Sequence, residues 1–392
     1  MKKSARAIAV LLPLALLVAA CSDDKKAATT TPAAGTTPAA GTTDAGDPAA
    51  AGLARAQADV DRAVLPPDVI GPTIALTGKP EPKKVAWLEC EQPSCVAITP
   101  GFKDATDALG WELIVIPAAS GAQGPAIQQA LDAGADYIAH TGSPLATAEE
   151  QISAAAAAGV PYVSCYSTDI PDYPANNLLM QCGDSPGVAA NGGLMANWAI
   201  ADSQGAANTL IVNIPDFPVL VSEADGAKAA YSENCPACTV TELDVTIAQL
   251  IAGEVPAAVA SQLQSNPDIN YIQFTFGDLP AGVAESLSAA GLLEGRKLIG
   301  VDFSTQIGLP GIIDGTHQAW SANPKVYAGW LMVDAMARHA VGMDNPEERA
   351  NAKLPTFIVD TPAAAQEILD LGDAGWPGPA TMAEQFKTLW GV

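Results

Sequence analysis

Residues Ala133-Gly134-Ala135-Asp136-Tyr137-Ile138 and Ala158-Gly159-Val160-Pro161-Tyr162-Val163 repeat one pattern, in which a helical stretch ends in a turn and a short apolar run follows. A run of the same kind, Lys84-Val85-Ala86-Trp87-Leu88, precedes them. Short apolar runs that alternate with helical stretches of about ten to fifteen residues indicate βαβ units and a parallel sheet.

The pattern continues along the chain and then restarts. Ligands of such sheets bind beyond the carboxyl ends of the strands, so two successive doubly wound halves placed side by side would share one cleft. The first half has predicted strands at 85–88, 111–116, 137–139 and 162–165, with helices at 101–109, 125–133 and 148–158. The second has strands at 178–182, 209–214, 239–243, 271–274, 297–301, 316–321 and 354–359, with helices at 186–201, 222–234, 257–265, 281–290 and 326–341.

The composition narrows the possible classes of protein. The chain of 392 residues carries 19 Lys and Arg against 43 Asp and Glu, a net charge of −24. This charge disfavours nucleic-acid binding, because the phosphate backbone attracts basic residues and repels carboxylates. With 49% apolar residues and a single long apolar run, we expect a globular protein rather than a disordered or multi-span membrane protein.

The N-terminal residues are typical of an export signal. Residues 1–20 combine a basic start with an apolar run too short for a retained membrane helix. Because Leu17-Val18-Ala19-Ala20-Cys21 resembles the bacterial lipobox, Cys21 is predicted to carry a lipid anchor, with ordinary secretion as the alternative. Residues 21–83 predict a disordered stalk rich in Thr, Ala, Pro and Gly and a proline-rich lead-in, with a short helix from Leu53 to Val64.

The seven cysteines agree with an exported protein. Apart from Cys21, the cysteines form three pairs whose members are close in the sequence. An oxidising compartment favours disulfides within such pairs. A redox role for Cys235-Pro236-Ala237-Cys238 is disfavoured because the motif follows a helix instead of starting one, and metal binding by this pair is a further alternative. The predicted pairs are Cys90 with Cys95, Cys165 with Cys182, and Cys235 with Cys238.

The order of the elements resembles the type I periplasmic binding proteins, in the ribose-like, sugar-binding branch of the ABC-importer receptors. The resemblance covers residues 83–361. Besides the runs quoted above, it rests on Ala108-Leu109-Gly110-Trp111, on Leu298-Ile299-Gly300-Val301-Asp302 and on Asn323-Pro324 before a long helix.

The resemblance implies an α/β fold of two doubly wound parallel-sheet lobes joined by a three-crossing hinge. Lobe 1 would comprise residues 84–180 plus 324–353 and lobe 2 residues 181–323 plus 354–361, leaving 362–392 as a C-terminal extension. Closure of the lobes would trap a small ligand for delivery to an ABC permease. The implied protein is a monomer, lipid-anchored at the extracytoplasmic face of the cell membrane, and not an enzyme, with no cofactor or metal. A sensor of the same fold that reports to a membrane kinase is the alternative.

By the same resemblance, ligand contacts come from the loops that follow the strands. Carboxylates accept hydrogen bonds from ligand hydroxyls, and rings stack on apolar ligand faces; the three phenylalanines fit a core position equally well. The candidates in lobe 1 are Glu89, Glu91, Phe102, Tyr166 and Ser167. Those in lobe 2 are Asp216, Phe217 with Glu223 nearby, Phe276, Asp278 and Asp302, and those at the second crossing are Trp320 and Asn323. Because every arginine lies elsewhere in the sequence, we expect no anionic ligand; a neutral sugar-like compound is favoured over a cationic aromatic one.

Gly183-Asp184-Ser185-Pro186-Gly187 raises the alternative of a secreted serine hydrolase, with His317 or His339 as the base. A nucleophile elbow requires a strained backbone with positive φ, whereas a residue before proline is driven to extended conformations. Ser185 is therefore predicted to cap a helix. The histidines show no metal-ligand spacing, and no substrate groove supports Glu89 and Glu91 as a glycosidase pair.

Overall fold

The computed structural model describes residues 47–343 and 353–392. The predicted signal peptide, Cys21 and the stalk up to residue 46 lie outside the described residues. No helix in the described part of the chain is long and apolar enough to cross a membrane.

The first β-sheet has five parallel strands in the order β2-β1-β3-β4-β5. The strands β3, β4 and β5 are buried at every position, as expected where helices cover both faces of a parallel sheet. The strands are β1 (Lys84–Glu89), β2 (Glu112–Pro117), β3 (Tyr137–Thr141), β4 (Tyr162–Cys165) and β5 (Leu178–Cys182), and the helices between them are α2 (Pro93–Val96), α3 (Thr99–Leu109), α4 (Gly124–Asp132) and α5 (Glu149–Ala157).

The second β-sheet has the order β11-β10-β9-β8-β6-β7 and is parallel except for β11, which runs antiparallel to β10. Its strands are β6 (Asn208–Asn213), β7 (Thr239–Asp244), β8 (Tyr271–Phe274), β9 (Lys297–Gly300), β10 (His317–Ser321) and β11 (Ile358–Val359). Its helices are α6 (Ser185–Asp202), α7 (Pro218–Asn234), α8 (Ile247–Ile251), α9 (Val255–Ser265), α10 (Val283–Ala289) and α11 (Gly308–Asp314).

Helix α12 (Lys325–Ala340) follows β10 but packs against α3, β4 and β5 of the first sheet. The first sheet with α2–α5 and α12 is called lobe 1 below, and the second sheet with α6–α11 is called lobe 2. The chain crosses between the lobes after β5, after β10 and again before β11. The predicted fold of two doubly wound parallel-sheet lobes is therefore confirmed. The predicted lobe boundary at residue 180 falls inside β5, which pairs with β4 up to Cys182.

The residues before β1 contact both lobes. Helix α1 (Pro48–Arg62) packs against α6 and α7 of lobe 2. It starts five residues earlier than the sequence predicts, because the side chain of Asp47 caps it by accepting a hydrogen bond from the Ala49 amide. Further along, Ile70 is buried in the core of lobe 1. The Leu76 amide donates a hydrogen bond to the Leu389 carbonyl, 2.8 Å away.

The residues after β11 also contact both lobes. Helix α13 (Pro362–Leu369) packs against α11, and Trp376 meets the ring of Phe357 edge-on in the core of lobe 2. The predicted terminal helix, α14 (Met382–Trp390), instead packs on α12. The indole nitrogen of Trp390 donates to Asp334 Oδ1 at 2.7 Å. The predicted C-terminal extension is thus part of the folded unit.

The structure contains the three predicted disulfides. Cys165 and Cys182 are opposite each other in the adjacent strands β4 and β5. Cys90 and Cys95 close a loop between β1 and α2, and Cys235 and Cys238 close the turn between α7 and β7.

Two glycines allow α3 and α12 to approach closely. A Cβ added at Gly329 would lie 2.6 Å from the backbone nitrogen of Phe102, and one added at Gly101 would lie 2.0 Å from the carbonyl oxygen of Val326. The α3–α12 contact of lobe 1 therefore requires glycine at both positions.

We expect Gly329→Ala to lower the free energy of unfolding by about 1–3 kcal/mol, because overpacking forces the two backbones apart. Urea denaturation measures this change. Gly78→Ala is the matched control, since nothing lies within 4 Å of a Cβ at Gly78, and its effect should stay within about 0.5 kcal/mol. Equal stability of the two variants would contradict the proposed close packing.

Candidate functional site

A cavity of about 90 Å³ lies between the lobes and is called the central cavity below. Its lining residues follow the carboxyl ends of β1, β3 and β4 in lobe 1 and of β6, β8 and β9 in lobe 2, which is where open parallel sheets bind ligands. A neighbouring side cavity of about 380 Å³ shares Ser94, Asp302 and Lys325 with it.

The two walls of the central cavity differ in chemistry. The wall from lobe 2 is mainly apolar because the first turns of α7 and the loops after β7 and β8 present large side chains to it. The lobe 1 wall carries Gln92, Ser94, Ser120, His140, Thr141 and Ser143, and the lobe 2 wall carries Phe217, Val219, Leu220, Ile247 and Phe276. A ligand in this cavity would meet hydrogen-bonding groups on one side and apolar surface on the other.

A buried ion pair between Lys325 and Asp302 joins the two walls. The Lys325 ammonium hydrogen-bonds to Asp302 Oδ2 and lies over the ring of Tyr166, 4.3 Å from its centroid. Lys325 begins α12 of lobe 1, whereas Asp302 follows β9 of lobe 2. Burial alone would lower the pKa of Lys325. The charge of Asp302 and its hydrogen bond, together with the charges of Tyr166 and Asp278, outweigh burial and raise the pKa.

The backbone is strained at both residues that flank the ammonium. Tyr166 has φ of 54° and Asp302 has φ of 58°, values that residues other than glycine rarely adopt. Gly277 makes room for this conformation, because a Cβ there would lie 1.9 Å from the Asp302 carbonyl oxygen. Such strain is characteristic of ligand-binding and catalytic sites.

Glu223 points into the central cavity from α7. Its side chain is buried, and Oε2 has no hydrogen-bond partner among the described residues. Burial and then the charge of Asp302 raise the pKa of Glu223 well above its usual value, and Lys325 offsets this only in part. Burial and the charge of Asp302 thus both favour the neutral form of this carboxyl group over the ionised one.

Asp278 is the third buried carboxyl group of the cleft and lies in the side cavity. Its Oδ2 accepts a hydrogen bond from Ser94 Oγ of lobe 1 at 3.3 Å, and the loop with Ser94 is closed by the Cys90–Cys95 disulfide. Burial, followed by the charge of Asp302, raises the pKa of Asp278 to about 6.

Several other buried polar atoms of the cleft have no partner in the described part of the protein. They include Asp302 Oδ1, both side-chain amide atoms of Asn323, and His140 Nδ1. Burial lowers the pKa of His140 to about 3, so its ring is neutral. Since buried polar groups in native proteins nearly always have partners, these atoms are suited to hydrogen-bond a polar ligand.

The structure places the predicted site residues in two groups. Those that line the central cavity are Tyr166, Phe217, Phe276 and Asp302, and those that line the side cavity are Glu91, Asp278, Asn323 and, again, Asp302. Lys325 and His140 line the central cavity but were missed by sequence reasoning, because the first lies two residues past the predicted crossing near residue 323 and the second lies within the buried strand β3.

The other five predicted residues line neither cavity. Glu89 accepts a hydrogen bond from Thr99 Oγ1. Phe102 is fully buried and stacks on Trp87, whereas Trp320 is buried in the core of lobe 2. Ser167 Oγ donates to Asp169 Oδ2, and Asp216 accepts a hydrogen bond from the Ile247 amide. Their hydrogen bonds and ring contacts are therefore internal to the fold.

Ser185 begins α6, but the prediction that it caps this helix is wrong. The cap is Asp184, whose Oδ1 accepts a hydrogen bond from the Gly187 amide at 3.0 Å. The candidate bases have other partners, since His317 Nδ1 accepts from the Trp320 indole and His339 Nδ1 bonds the Tyr137 hydroxyl. No group of three or more His, Cys, Asp or Glu side chains within residues 47–343 and 353–392 is arranged to hold a metal ion.

Comparison with protein families gives one match: the family described as "Periplasmic binding protein domain" matches residues 92–344. No curated protein matches the chain.

Solved structures with a similar fold include several solute-binding proteins. An ABC transporter solute-binding protein from Mycobacterium smegmatis with bound glycerol has a TM-score of 0.62 and 22% identity, over 75% of this chain and 99% of that chain. A carbohydrate transporter from Acidothermus cellulolyticus 11B in complex with myo-inositol has a TM-score of 0.60 and 21% identity, over 75% and 99%. A 5-methylthioribose transporter solute-binding protein from Thermotoga lettingae has a TM-score of 0.62 and 17% identity, over 81% and 99%. These similarities show the fold.

We expect Lys325→Met to destabilise the protein by about 3–5 kcal/mol, because it leaves the buried Asp302 carboxylate unpaired. Combining it with Asp302→Asn should restore most of this loss, since asparagine is uncharged and tolerates positive φ. Urea denaturation at pH 7 measures both. The matched control is Lys103→Met, which removes an exposed pair with Asp107 and should leave the stability nearly unchanged, because water screens this pair. A double variant as unstable as the single one would contradict the pairing.

Proposed function

Because the chain belongs to the periplasmic binding protein family, we propose that it captures a small, uncharged, sugar-like ligand between its lobes and delivers it to an ABC importer. Binding requires no covalent chemistry, because a ligand that contacts both walls stabilises the closed form over the open one. The protein would bind and release the compound unchanged.

The unpartnered buried polar atoms of the cleft carry this proposal. Asn323, Asp302 and Glu223 together offer donors and acceptors that no described residue satisfies, and they do so between two lobes that can move relative to each other. Hydroxyl groups of a sugar both donate and accept, so they match such a mixed set. Since Lys325 is already paired with Asp302, the described lining of the cleft offers no free cation with which to bind an anionic ligand.

The ligands of similar proteins support the same class of compound. Glycerol, myo-inositol and 5-methylthioribose are the bound compounds of the three structures compared above, and all three are neutral and carry hydroxyl groups. The apolar wall formed by Phe217, Leu220 and Ile247 favours a ligand that also carries an apolar group, because such a group would remove this surface from water.

We further propose that the protein works on the extracytoplasmic face of the cell membrane, held there by a lipid on Cys21. The disulfides between sequence neighbours suit an oxidising compartment. Residues 21–46 would then serve as the tether between the lipid and the lobes, bringing them within reach of a membrane permease.

We expect Asn323→Ala to weaken binding of the ligand by about 1–3 kcal/mol, a roughly 5- to 150-fold loss of affinity. Because neither amide atom of Asn323 has a partner among the described residues, the described fold should lose no internal hydrogen bond. Thermal-shift measurements with ribose, myo-inositol and 5-methylthioribose, followed by calorimetry on the best binder, test this expectation.

Ser185→Ala serves as the control for the serine-hydrolase alternative and should leave binding unchanged. If none of the three compounds raises the Tm of the wild-type protein, the proposed ligand class is wrong. Recovery of a chemically altered compound after incubation would overturn the binding function itself.

A further inference from the structure

Glu223 is a buried carboxyl group in the wall of the central cavity. It lies four residues after Val219 on α7, and both face the central cavity with Leu220. The residue is only 4% exposed. No described residue donates a hydrogen bond to its Oε2.

The charged neighbours of Glu223 do not neutralise it. Lys325 of α12 is held by Asp302, and Asp302 Oδ1 is itself buried without a partner. The two carboxyl groups therefore make no hydrogen bond with each other, although both line the central cavity.

The other described elements packed against Glu223 bring no positive charge to it. Helix α6 meets Glu223 through Gly192, at its backbone. Arg55 of α1 bonds Asn234, at the opposite end of α7. The other titratable groups of the cleft are Tyr166 and His140, which line the central cavity, and Glu91, Asp278 and Asp373, which line the side cavity.

An ionised carboxylate in this position would be buried without a counter-ion, which is strongly unfavourable. A protonated carboxyl group avoids this cost and presents an O–H donor. Because no described residue accepts a hydrogen bond from this O–H group, the ligand has to supply the acceptor.

We propose that protonated Glu223 donates a hydrogen bond to a ligand hydroxyl, which in turn donates to Asp302 Oδ1, so that ligand capture weakens as the pH rises. This inference rests on the proposed function and specifies its ligand at one point: an uncharged group that both accepts and donates. An ammonium group does not accept a hydrogen bond, and a methyl group does neither, so amino and deoxy analogues at this position are excluded.

The pKa values of the surrounding groups agree with this assignment. Burial and the charge of Asp302 raise the pKa of Glu223. The pKa of Tyr166 and of Lys325 is raised and that of His140 is lowered to about 3, so none of these three titrates between pH 5 and 9. Asp278, with a pKa of about 6, is the group whose titration must be separated from that of Glu223.

The test is the affinity for ribose, myo-inositol and 5-methylthioribose, measured by calorimetry at pH 5, 6, 7, 8 and 9. If only the protonated form binds, the wild-type affinity should fall about tenfold per pH unit above the pKa of Glu223. In Glu223→Gln the affinity should lose the part of this dependence that is due to Glu223, because the amide donates without titrating, and any change that remains near pH 6 belongs to Asp278. Glu233→Gln, on the exposed end of the same helix, should behave as wild type, and Asp278→Asn should keep the dependence that is due to Glu223.

Thermal unfolding without ligand provides a second measurement. Because the pKa of Glu223 is raised in the folded state, its contribution to stability is complete below the ordinary glutamate pKa of about 4.3 and is lost as the pH rises through the raised value. Relative to wild type, the Tm of Glu223→Gln should therefore rise with pH.

Three results would overturn the inference. An affinity that is constant with pH in wild type, or that changes equally in Glu223→Gln, leaves capture of a neutral sugar intact but removes the role of Glu223. An affinity for these neutral compounds that increases with pH means that ionised Glu223 accepts a hydrogen bond from the ligand, which contradicts its role as a donor. If none of the three compounds binds at any pH, the proposed function fails together with the inference.

Discussion

The pairing of Lys325 with Asp302 is the interaction on which the cleft depends. The ammonium belongs to a helix that packs in lobe 1 and the carboxylate to a loop of lobe 2, so the pair exists only while the lobes are close. Taking both charges out of water is costly, and their attraction offsets that cost only with good geometry. Tyr166, whose ring faces the ammonium, adds a favourable interaction with the cation. Lys325 is the basic residue of the described cavity lining, and it is paired with Asp302. Glu223 and Asp278 are therefore carboxyl groups without a counter-ion.

The terminal segments add further connections between the lobes. Residues 47–63 lie on lobe 2 and residues 70–76 on lobe 1, and the C-terminal segment places Trp376 in lobe 2 and Trp390 in lobe 1. Because the Pro377 carbonyl accepts a hydrogen bond from the Tyr327 amide of lobe 1, movement of the lobes has to be absorbed at residues 64–69 and directly after Trp376, as well as at the three crossings. Each added connection narrows the set of relative orientations that the lobes can adopt, which favours a defined closing motion over free rotation.

The sequence predicts the fold well because its determinants are local. Short apolar runs between helical stretches identify the strands of both sheets, and the predicted fold depends little on where each strand exactly begins or ends.

The site is harder to predict. Asp278 and Asp302 were predicted from the resemblance, which places ligand contacts in the loops that follow the strands, and both line the cleft. Phe102 and Trp320 were predicted on the same basis but are core residues, since a large ring suits either position. Lys325 was missed because a lysine at the first position of a helix has no unusual local feature. Its role comes from a partner 23 residues earlier in the chain.

The charge of the cleft follows from these contacts. Three carboxyl groups, Glu223, Asp278 and Asp302, lie near one ammonium, so full ionisation would leave two uncompensated negative charges inside the protein. Closing the lobes removes water, which strengthens the Lys325–Asp302 attraction and at the same time raises the free energy of any unpaired carboxylate. Closure and proton uptake by Glu223 therefore favour each other.

An uncharged ligand with hydroxyl groups leaves this balance of charge undisturbed and supplies the missing hydrogen-bond partners. A cationic ligand would instead release the proton and approach the ammonium of Lys325, and an anionic one would add to the excess of negative charge. The distribution of charge in the cleft thus selects against both kinds of ion, although the protein surface as a whole is strongly acidic.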